Sequence, residues 1–402
     1  MGTIENRWRH SVTRREALVG LAGILAGSPL LHAQLDPRPL KDHKRVPGID
    51  EMLTAFDFEA VCFANMPLAA YDYMAHGADS EFTLRRNRQA FEWVDLVERP
   101  GTPVDAVNTS SEVLGLKLDF PILVAPSSRQ RDLHPDGDAG MYVGATRAKT
   151  PMIVVGGSSI PIEKVATSAD GPRWSQFYPT ENLAASREQI ARFQDAGAQG
   201  IVVTVDQQTS VYERDLHNRN LGGSVRSAAA AAPPTPTPAK GPWRYRVNPR
   251  RLWYSWKYLD EIRPFIKGPM VIKGIITAED ARLCVEHGYD GLIVSNHGGR
   301  AMDYLPATLE VLPEIVDAVG GKIAVLVDSG FRRGSDIVKA IALGADAVCL
   351  GRAARWGLGA FGPEGVQRLL EIVQAEFREA MAKTGRTTLA ALDRSVLETE
   401  FL

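Results

Sequence analysis

The sequence has no excess of charge of either sign, few cysteines, and no apolar run long enough to cross a membrane as a helix. Its 402 residues carry 46 Lys and Arg against 48 Asp and Glu, which argues against a nucleic-acid partner and against an acidic solvating tail. Cys62, Cys284 and Cys349 include no CxxC pair, which argues against a disulfide framework and a cysteine zinc site. We expect all three to be buried core residues.

Residues 1–33 have the order of a secretory signal of the twin-arginine type. Arg14 and Arg15 precede an uncharged stretch, residues 17–31, and Ala33 offers a small residue for cleavage. The stretch has 15 residues, short of the roughly 20 that span a bilayer, so it does not predict a permanent anchor. We expect cleavage after Ala33 and a periplasmic or secreted protein. The alternative is a disordered or amphipathic N-terminus on a cytoplasmic protein.

Beyond a polar lead, short apolar runs alternate with longer amphipathic segments. The runs are PILVAP (121–126), PMIVVGG (151–157), WSQFY (174–178), GIVVTVD (200–206), PMVIKG (269–274), GLIVSN (291–296), IAVLVDSG (323–330) and AVCLG (347–351). Most are continuously apolar, as strands buried on both faces are, and the segments between them, such as 277–288 and 333–344, have helical periodicity.

Eight strands each followed by a helix predict an α/β fold of the (β/α)₈ TIM barrel type over residues 121–390. A helical extension and barrel lead-in would occupy residues 34–120. The alternative is a doubly wound open sheet, but its glycine fingerprint is missing because SSRQRDLHP follows the first run.

Polar side chains follow nearly every predicted strand. In a barrel of this type the carboxyl ends of the strands carry the active site. The strand-end residues are Ser127 and Ser128, Gly157, Gln176 and Tyr178, Thr204 and Asp206, Lys273, Ser295 with His297 and Arg300, Asp328, and Gly351 with Arg352. Their concentration indicates that many side chains converge on one ligand.

The ends of the last two strands predict a phosphate site. DSGFRRGS (328–335) and LGR (350–352) combine glycines, a helix start and the arginines Arg332 and Arg352. Glycines allow the backbone to approach closely, helix-start N–H groups face an anion, and guanidinium groups add charge-assisted hydrogen bonds. The alternative is that Gly330 and Gly351 only form tight loops.

Four charged or titratable residues on neighbouring strands predict acid–base chemistry beside a carboxylate. His297 can use Asp206 as an orienting partner, and Arg300 can grip a carboxylate at two points. This combination suits removal of hydrogen from the carbon next to a carboxylate. Lys273 offers a fixed positive charge for the electron acceptor, which should be organic because no HExxH zinc motif occurs.

Four blocks carry a resemblance to a known family. SNHGGRAMDYLPA, VIKGIITAEDA, DSGFRRGSDIVKAIALGADAVCLGR and YDYMAHGADSEFTLRRNRQAF resemble the FMN-dependent α-hydroxy-acid oxidases and dehydrogenases, which include glycolate oxidase, lactate oxidase and mandelate dehydrogenase. The resemblance runs, with gaps, from about residue 50 to 390. It implies a (β/α)₈ barrel with FMN, whose phosphate would occupy the site at the last two strands.

By resemblance, His297 is the active-site base that removes a hydrogen from the 2-carbon of a small 2-hydroxy acid. Asp206 would stabilise its protonated form. Arg300 and Tyr73 would hold the substrate carboxylate, and Tyr178 would bond the hydroxyl.

The resemblance also implies the FMN contacts. Lys273 would lie at the N1 and O2 edge of the flavin and favour the anionic reduced ring. The other expected contacts are Ala125, Pro126 and Ser127 against the ring, Gln176, Thr204 and Ser295 bonding it, and Asp328, Gly330, Arg332, Gly351 and Arg352 around the ribityl chain and phosphate. A homo-oligomer, specifically a tetramer, is implied as well. Oxygen, a quinone or a cytochrome could accept the electrons.

Two departures from the family pattern affect the substrate side. GGSSIPIEKV places Gly157 where relatives of glycolate oxidase have tryptophan, and YERDLHNR (212–219) lacks the first arginine of YRERDLHNR, beside Tyr212. Both changes open the pocket, so we expect a 2-hydroxy acid bulkier than glycolate. An FMN isomerase or another altered reaction, and a flavin-binding protein without catalysis, are the alternatives.

The segment at 222–246 is rich in alanine, proline and threonine, which cannot form a packed core. We expect a flexible loop over the barrel mouth, acting either as a lid or as a passive insertion.

Overall fold

A computed structural model describes residues 46–206 and 254–399. The strands are β1 (Val94–Leu96), β2 (Ser111–Val113), β3 (Leu116–Leu118), β4 (Ile122–Val124), β5 (Met152–Val154), β6 (Arg173–Phe177), β7 (Ile201–Thr204), β8 (Met270–Ile275), β9 (Gly291–Val294), β10 (Ala324–Val327), β11 (Ala347–Leu350) and β12 (Leu397–Thr399). Strands β4 to β11 form a closed parallel barrel in which β11 returns to pair with β4. The predicted (β/α)₈ fold is confirmed.

Helices connect the barrel strands and cover their outer surface. They are α1 (Ala55–Asn65), α2 (Leu68–Ala75), α3 (Phe82–Gln89), α4 (Gly137–Arg147), α5 (Ile162–Ala166), α6 (Leu183–Asp195), α7 (Trp256–Ile262), α8 (Ala278–Glu286), α9 (Thr308–Val319), α10 (Gly334–Ala342) and α11 (Arg352–Lys383). Helix α11 bends at Phe361 and Gly362, just before Pro363, because Gly362 has a positive φ of 62°. Each of the eight predicted apolar runs overlaps one observed strand.

Every barrel strand is buried on both faces, as the continuous apolar runs predicted. One set of side chains, including Leu123, Val202 and Ile293, forms a cluster that is separate from the larger core beneath the helices. The short β2–β3 hairpin contributes Leu116 and Leu118 to this smaller cluster. The hairpin therefore packs onto the barrel interior, a contact between distant parts of the chain.

The last strand of the described chain pairs with a strand of the extension. Strand β1 pairs antiparallel with β12, with Val94 opposite Thr399. The helical extension is confirmed by α1, α2 and α3, and α1 packs along α11. The residues after 390 therefore complete a small sheet with the extension. This pairing was not predicted.

All three cysteines are free and buried, as expected. Within the two described stretches, no helix is long and apolar enough to cross a membrane. The proposed signal at 1–33, the altered sequence beside Tyr212 and the loop at 222–246 lie outside the described residues.

Candidate active site

A cavity of about 510 Å³ opens at the carboxyl ends of the barrel strands. Its lining includes most of the predicted site residues, which are Tyr73, Ala125, Pro126, Ser127, Gln176, Tyr178, Thr204, Lys273, His297, Arg300, Asp328, Gly330, Arg332, Gly351 and Arg352. Asp206 and Ser295 do not line it, but each contacts a residue that does. Except for Tyr73, these residues lie at or just after the carboxyl ends of barrel strands, where the fold places an active site.

The imidazole of His297 is held by a carboxylate behind it. Its Nδ1 lies 2.9 Å from Oδ1 of Asp206. Because a carboxylate can only accept, Nδ1 donates, and Nε2 is left to act on a substrate. His297 has a positive φ of 58°, as do Gly298 at 67° and Gly299 at 75°. This left-handed turn directly after β9 is strained for His297 and accounts for the two glycines that follow it.

Asp206 is kept ionised by the charges around it. Burial would raise its pKa, but Lys273 and His297 outweigh that effect and lower it. Gly274 has a φ of 113°, and a Cβ there would lie 2.6 Å from the Cβ of Asp206. Glycine is therefore needed for the close approach of β8 to Asp206. The ionised carboxylate suits Asp206 to stabilise a protonated His297.

Lys273 is a buried cation on β8 with two oxygen partners. Its Nζ donates to Oγ of Ser295 at 2.8 Å and lies 3.3 Å from Oδ2 of Asp328. Burial would lower the pKa of Lys273, but Asp206 and Asp328 outweigh it and raise the pKa. The ammonium therefore remains charged at the inner wall of the cavity. Ser295, predicted to bond the flavin, accepts from Lys273 and from the N–H of His297, which leaves its hydroxyl proton to donate.

Arg300 and Tyr73 lie together on one side of the cavity. Nη1 of Arg300 donates to the carbonyl oxygens of Tyr73 at 2.9 Å and His76 at 3.0 Å. The guanidinium carbon lies 5.0 Å from the centre of the Tyr73 ring, and the Tyr73 hydroxyl is 3.1 Å from Oγ of Ser128. Helix α2 of the extension thus brings Tyr73 to the barrel mouth, as the resemblance implied.

The predicted phosphate end has the expected backbone and charges. Gly330 has a φ of 93°, and a Cβ there would lie 2.4 Å from the carbonyl oxygen of Asn87. Arg332 is buried, with its guanidinium 4.3 Å from the centre of the Trp356 indole. Arg352, at the first position of α11, donates to the carbonyl oxygens of Met74, His76 and Gly298. Arg352 therefore also ties the extension to the loop after β9.

The polar atoms of the cavity fit FMN. Nε2 of Gln176 and Oγ1 of Thr204 are buried, line the cavity and have no hydrogen-bond partner within the described residues. Buried polar groups are normally paired, so these two indicate a polar ligand. A flavin ring offers such partners, and the arginines at the last two strands suit its phosphate. No group of three or more His, Cys, Asp and Glu in the described ranges is placed to hold a metal.

Several lining residues were not predicted. They are Met74, Val155, Ser329, Phe331, Cys349 and Arg355. Arg355 had a signal in the sequence, because it follows Arg352 by three residues at a helix start, a spacing that puts both on one face. His76 was also missed. Burial and then Arg300 lower the pKa of His76 to about 3, so this histidine is neutral.

Comparison with known proteins identifies similar chains. The family model for FMN-dependent dehydrogenases matches residues 62–399. The chain is 35% identical over 355 residues to a peroxisomal (S)-2-hydroxyacid oxidase of Arabidopsis thaliana, covering 88% of this chain and 98% of that protein. It is 35% identical over 358 residues to glycolate oxidase of Spinacia oleracea, covering 86% of this chain and 95% of that protein. The solved structure of mandelate oxidase with benzoyl-formic acid matches with a TM-score of 0.75 and 34% identity, over 87% of this chain and 99% of that one.

Proposed function

Because the chain belongs to the FMN-dependent dehydrogenase family, we propose that it oxidises a 2-hydroxy acid to the 2-keto acid. The observation that carries this proposal is the His297–Asp206 pair on the same cavity as Arg300 and Tyr73. Together they supply a base with an orienting partner and a clamp for a carboxylate, which suits hydrogen removal from the 2-carbon.

Each residue has a distinct part in this reaction. Nε2 of His297 takes a proton from the substrate, and Asp206 stabilises the charged imidazole that results, while the two electrons and the second proton of the oxidation would pass to bound FMN. Arg300 and Tyr73 hold the carboxylate so that the 2-carbon faces the base, and Tyr178 bonds the hydroxyl. FMN, held by the residues of the barrel mouth, supplies the acceptor for the two electrons. Lys273 places a positive charge in the wall where that ring would lie.

The substrate side of the site favours a 2-hydroxy acid bulkier than glycolate. A Cβ added at Gly157, in the loop after β5, would meet no atom within 4 Å among the described residues. That loop follows Val155, which lines the cavity. Mandelate oxidase, a similar solved structure, carries a phenyl-bearing acid in its complex with benzoyl-formic acid. The open space beside Gly157 among the described residues and the aromatic ligand of that relative both support a larger substituent.

A panel of 2-hydroxy acids of increasing size, with a dye as electron acceptor, tests the proposed reaction. We expect turnover with formation of one 2-keto acid per two electrons transferred. An absence of keto acid from every member of the panel, in protein that carries FMN, would contradict the proposal.

Replacing Gly157 by tryptophan should shift the preference toward small substrates. The indole would fill open space, and we expect kcat/KM for a phenyl-bearing acid to fall by about 10-fold or more relative to that for glycolate. Gly157→Ala is the matched control, because its methyl group is too small to narrow the pocket and should leave the preference unchanged. An unaltered preference in Gly157→Trp would show that this loop does not limit substrate size.

We also propose that the protein is exported by the twin-arginine route and acts in the periplasm or outside the cell. Arg14, Arg15 and the uncharged segment that follows support this proposal. Arg14→Lys combined with Arg15→Lys should retain the full-length chain in the cytoplasm, as fractionation and mass measurement would show. Equal export of this variant would contradict it.

The resemblance to the α-hydroxy-acid oxidases and dehydrogenases also implies an electron acceptor and a homo-oligomer. Oxygen, a quinone or a cytochrome would receive the electrons from the enzyme. Assembly as a homo-oligomer is supported by exposed apolar side chains on the extension, such as Phe63 and Leu68. A monomer mass measured by light scattering would contradict the proposed homo-oligomer.

A further inference from the structure

Arg355 is a buried arginine whose charge has no assigned partner. It lies in the first turn of α11, is 6% exposed and lines the active-site cavity. Its Nε and Nη2 atoms are buried and make no hydrogen bond within the parts of the chain that the structure describes. Burying a guanidinium without acceptors is costly, so the site must supply an acceptor when it works.

Among residues 46–206 and 254–399, the groups around Arg355 do not supply that acceptor. Its guanidinium carbon lies 5.8 Å from the centre of the Tyr73 ring, which Arg129 and Arg300 also face at 4.0 and 5.0 Å. Arg129 has its own carboxylate, because its Nη2 is 2.5 Å from Oδ2 of Asp132. Three guanidinium groups therefore meet at one tyrosine, and only Arg129 is paired with an acid in the described chain.

The other cations of the cavity already have an anion in the proposed reaction. Lys273 is paired with Asp328, and Arg332 and Arg352 suit the FMN phosphate. Arg300 takes the carboxylate next to the reacting carbon. Arg355 is the cationic lining residue left without an anion among the described residues, whether from the protein, the cofactor or a simple 2-hydroxy acid.

Arg355 belongs to the substrate end of the cavity rather than to the phosphate end. Its guanidinium faces the ring of Tyr73 at 5.8 Å, the same ring that Arg300 faces at 5.0 Å, and both residues are assigned to the substrate carboxylate. Burial, and then the repulsion from Arg300, lower the pKa of Arg355 to about 10. The side chain therefore stays cationic near neutral pH, and a second anion beside Arg300 would relieve the repulsion.

We propose that Arg355 binds a second acidic group at the far end of the substrate, so that the preferred substrate is a 2-hydroxy diacid. This inference rests on the proposed oxidation of 2-hydroxy acids and adds the chemistry of the substituent to it. An arginine suits a terminal carboxylate because its planar fork can donate two parallel hydrogen bonds.

The test compares 2-hydroxypentanedioate with its 5-amide, which has the same size but lacks the second charge. With FMN-loaded enzyme we expect kcat/KM for the diacid to exceed that for the amide by about 10-fold or more, as for a hydrogen bond to a charged group. Arg355→Met should bring the ratio close to one. Arg192→Met, which removes an exposed arginine paired with Glu163 on the outer surface, is the control and should keep the ratio.

Three outcomes would overturn this inference. Equal kcat/KM values of the wild-type enzyme for the amide and the diacid would refute the inference without any variant. An unchanged ratio in Arg355→Met would remove the residue from substrate selection. A loss of FMN affinity in that variant with the ratio unchanged would assign Arg355 to the cofactor phosphate.

Stability and a conservative variant separate a binding role from a structural one. Without ligand, Arg355→Met should melt at a higher temperature than wild type, because an unpaired buried charge is removed. Arg355→Lys should retain part of the preference for the diacid, and a ratio of one there would also count against the inference.

Oxidation of simple 2-hydroxy acids without preference for the diacid would overturn this inference alone. No oxidation of any 2-hydroxy acid would overturn the proposed function.

Discussion

His297→Gln should lower kcat by about 10²- to 10⁴-fold while FMN stays bound, the range expected when a positioned general base is lost. Glutamine keeps a polar side chain of similar reach but cannot take up a proton. The base acts through Nε2, because Nδ1 is committed to Asp206 at 2.9 Å. Turnover with a dye acceptor and the bound flavin absorbance, measured on the same preparation, separate loss of chemistry from loss of cofactor.

A second histidine in the chain provides a matched control for this variant. Nδ1 of His287 lies 2.9 Å from Asp260 on the outer surface, so the pair repeats the geometry of His297 and Asp206 away from the cavity. His287→Gln should leave kcat unchanged. If His297→Gln turned over at the wild-type rate, the histidine would not be the base.

Lys273→Met should destabilise the protein by about 3 kcal/mol, because it leaves buried carboxylates without their cation. Lys273 is 3% exposed and lies 3.3 Å from Asp328, which is 6% exposed. Loss of the fixed charge should also lower kcat by about 10²-fold, as when one electrostatic partner of a developing charge is removed. Urea unfolding of the FMN-free protein measures the first effect, and dye-linked turnover of the loaded protein measures the second.

Two comparisons show whether the buried charge itself is responsible. Asp328→Asn added to Lys273→Met removes one unpaired carboxylate and should restore part of the stability. Lys383→Met breaks an exposed pair with Glu379 and should change stability by no more than about 0.5 kcal/mol. Equal stability of Lys273→Met and wild type would mean that this ion pair contributes nothing to the fold.

The barrel was predictable because its strands leave a strong local pattern. Runs such as GLIV at 291–294 are apolar at every position, and only burial on both faces explains that pattern. Once eight such runs alternate with helices, the topology places all their carboxyl ends at one mouth. Residues far apart in sequence, such as Asp206 and His297, could therefore be grouped without any contact information.

Features that depend on long-range packing were not predictable in this way. The β2–β3 hairpin and the pairing of β1 with β12 are short elements whose partners lie elsewhere in the chain. The three-residue spacing places Arg355 on the same helix face as Arg352, but spacing alone does not show that this face lines the cavity, so Arg355 was missed. The hydrogen bond from Lys273 to Ser295 was not predicted because it depends on the register of β8 and β9.

The most direct test of the central claim is an anaerobic titration of the FMN-loaded protein with a 2-hydroxy acid, followed by flavin absorbance and product analysis. We expect one equivalent of substrate to bleach one equivalent of flavin and yield one 2-keto acid, and His297→Gln to slow the bleaching. A flavin that stays oxidised while the substrate is converted to an isomer, or bleaching at an equal rate without His297, would contradict it.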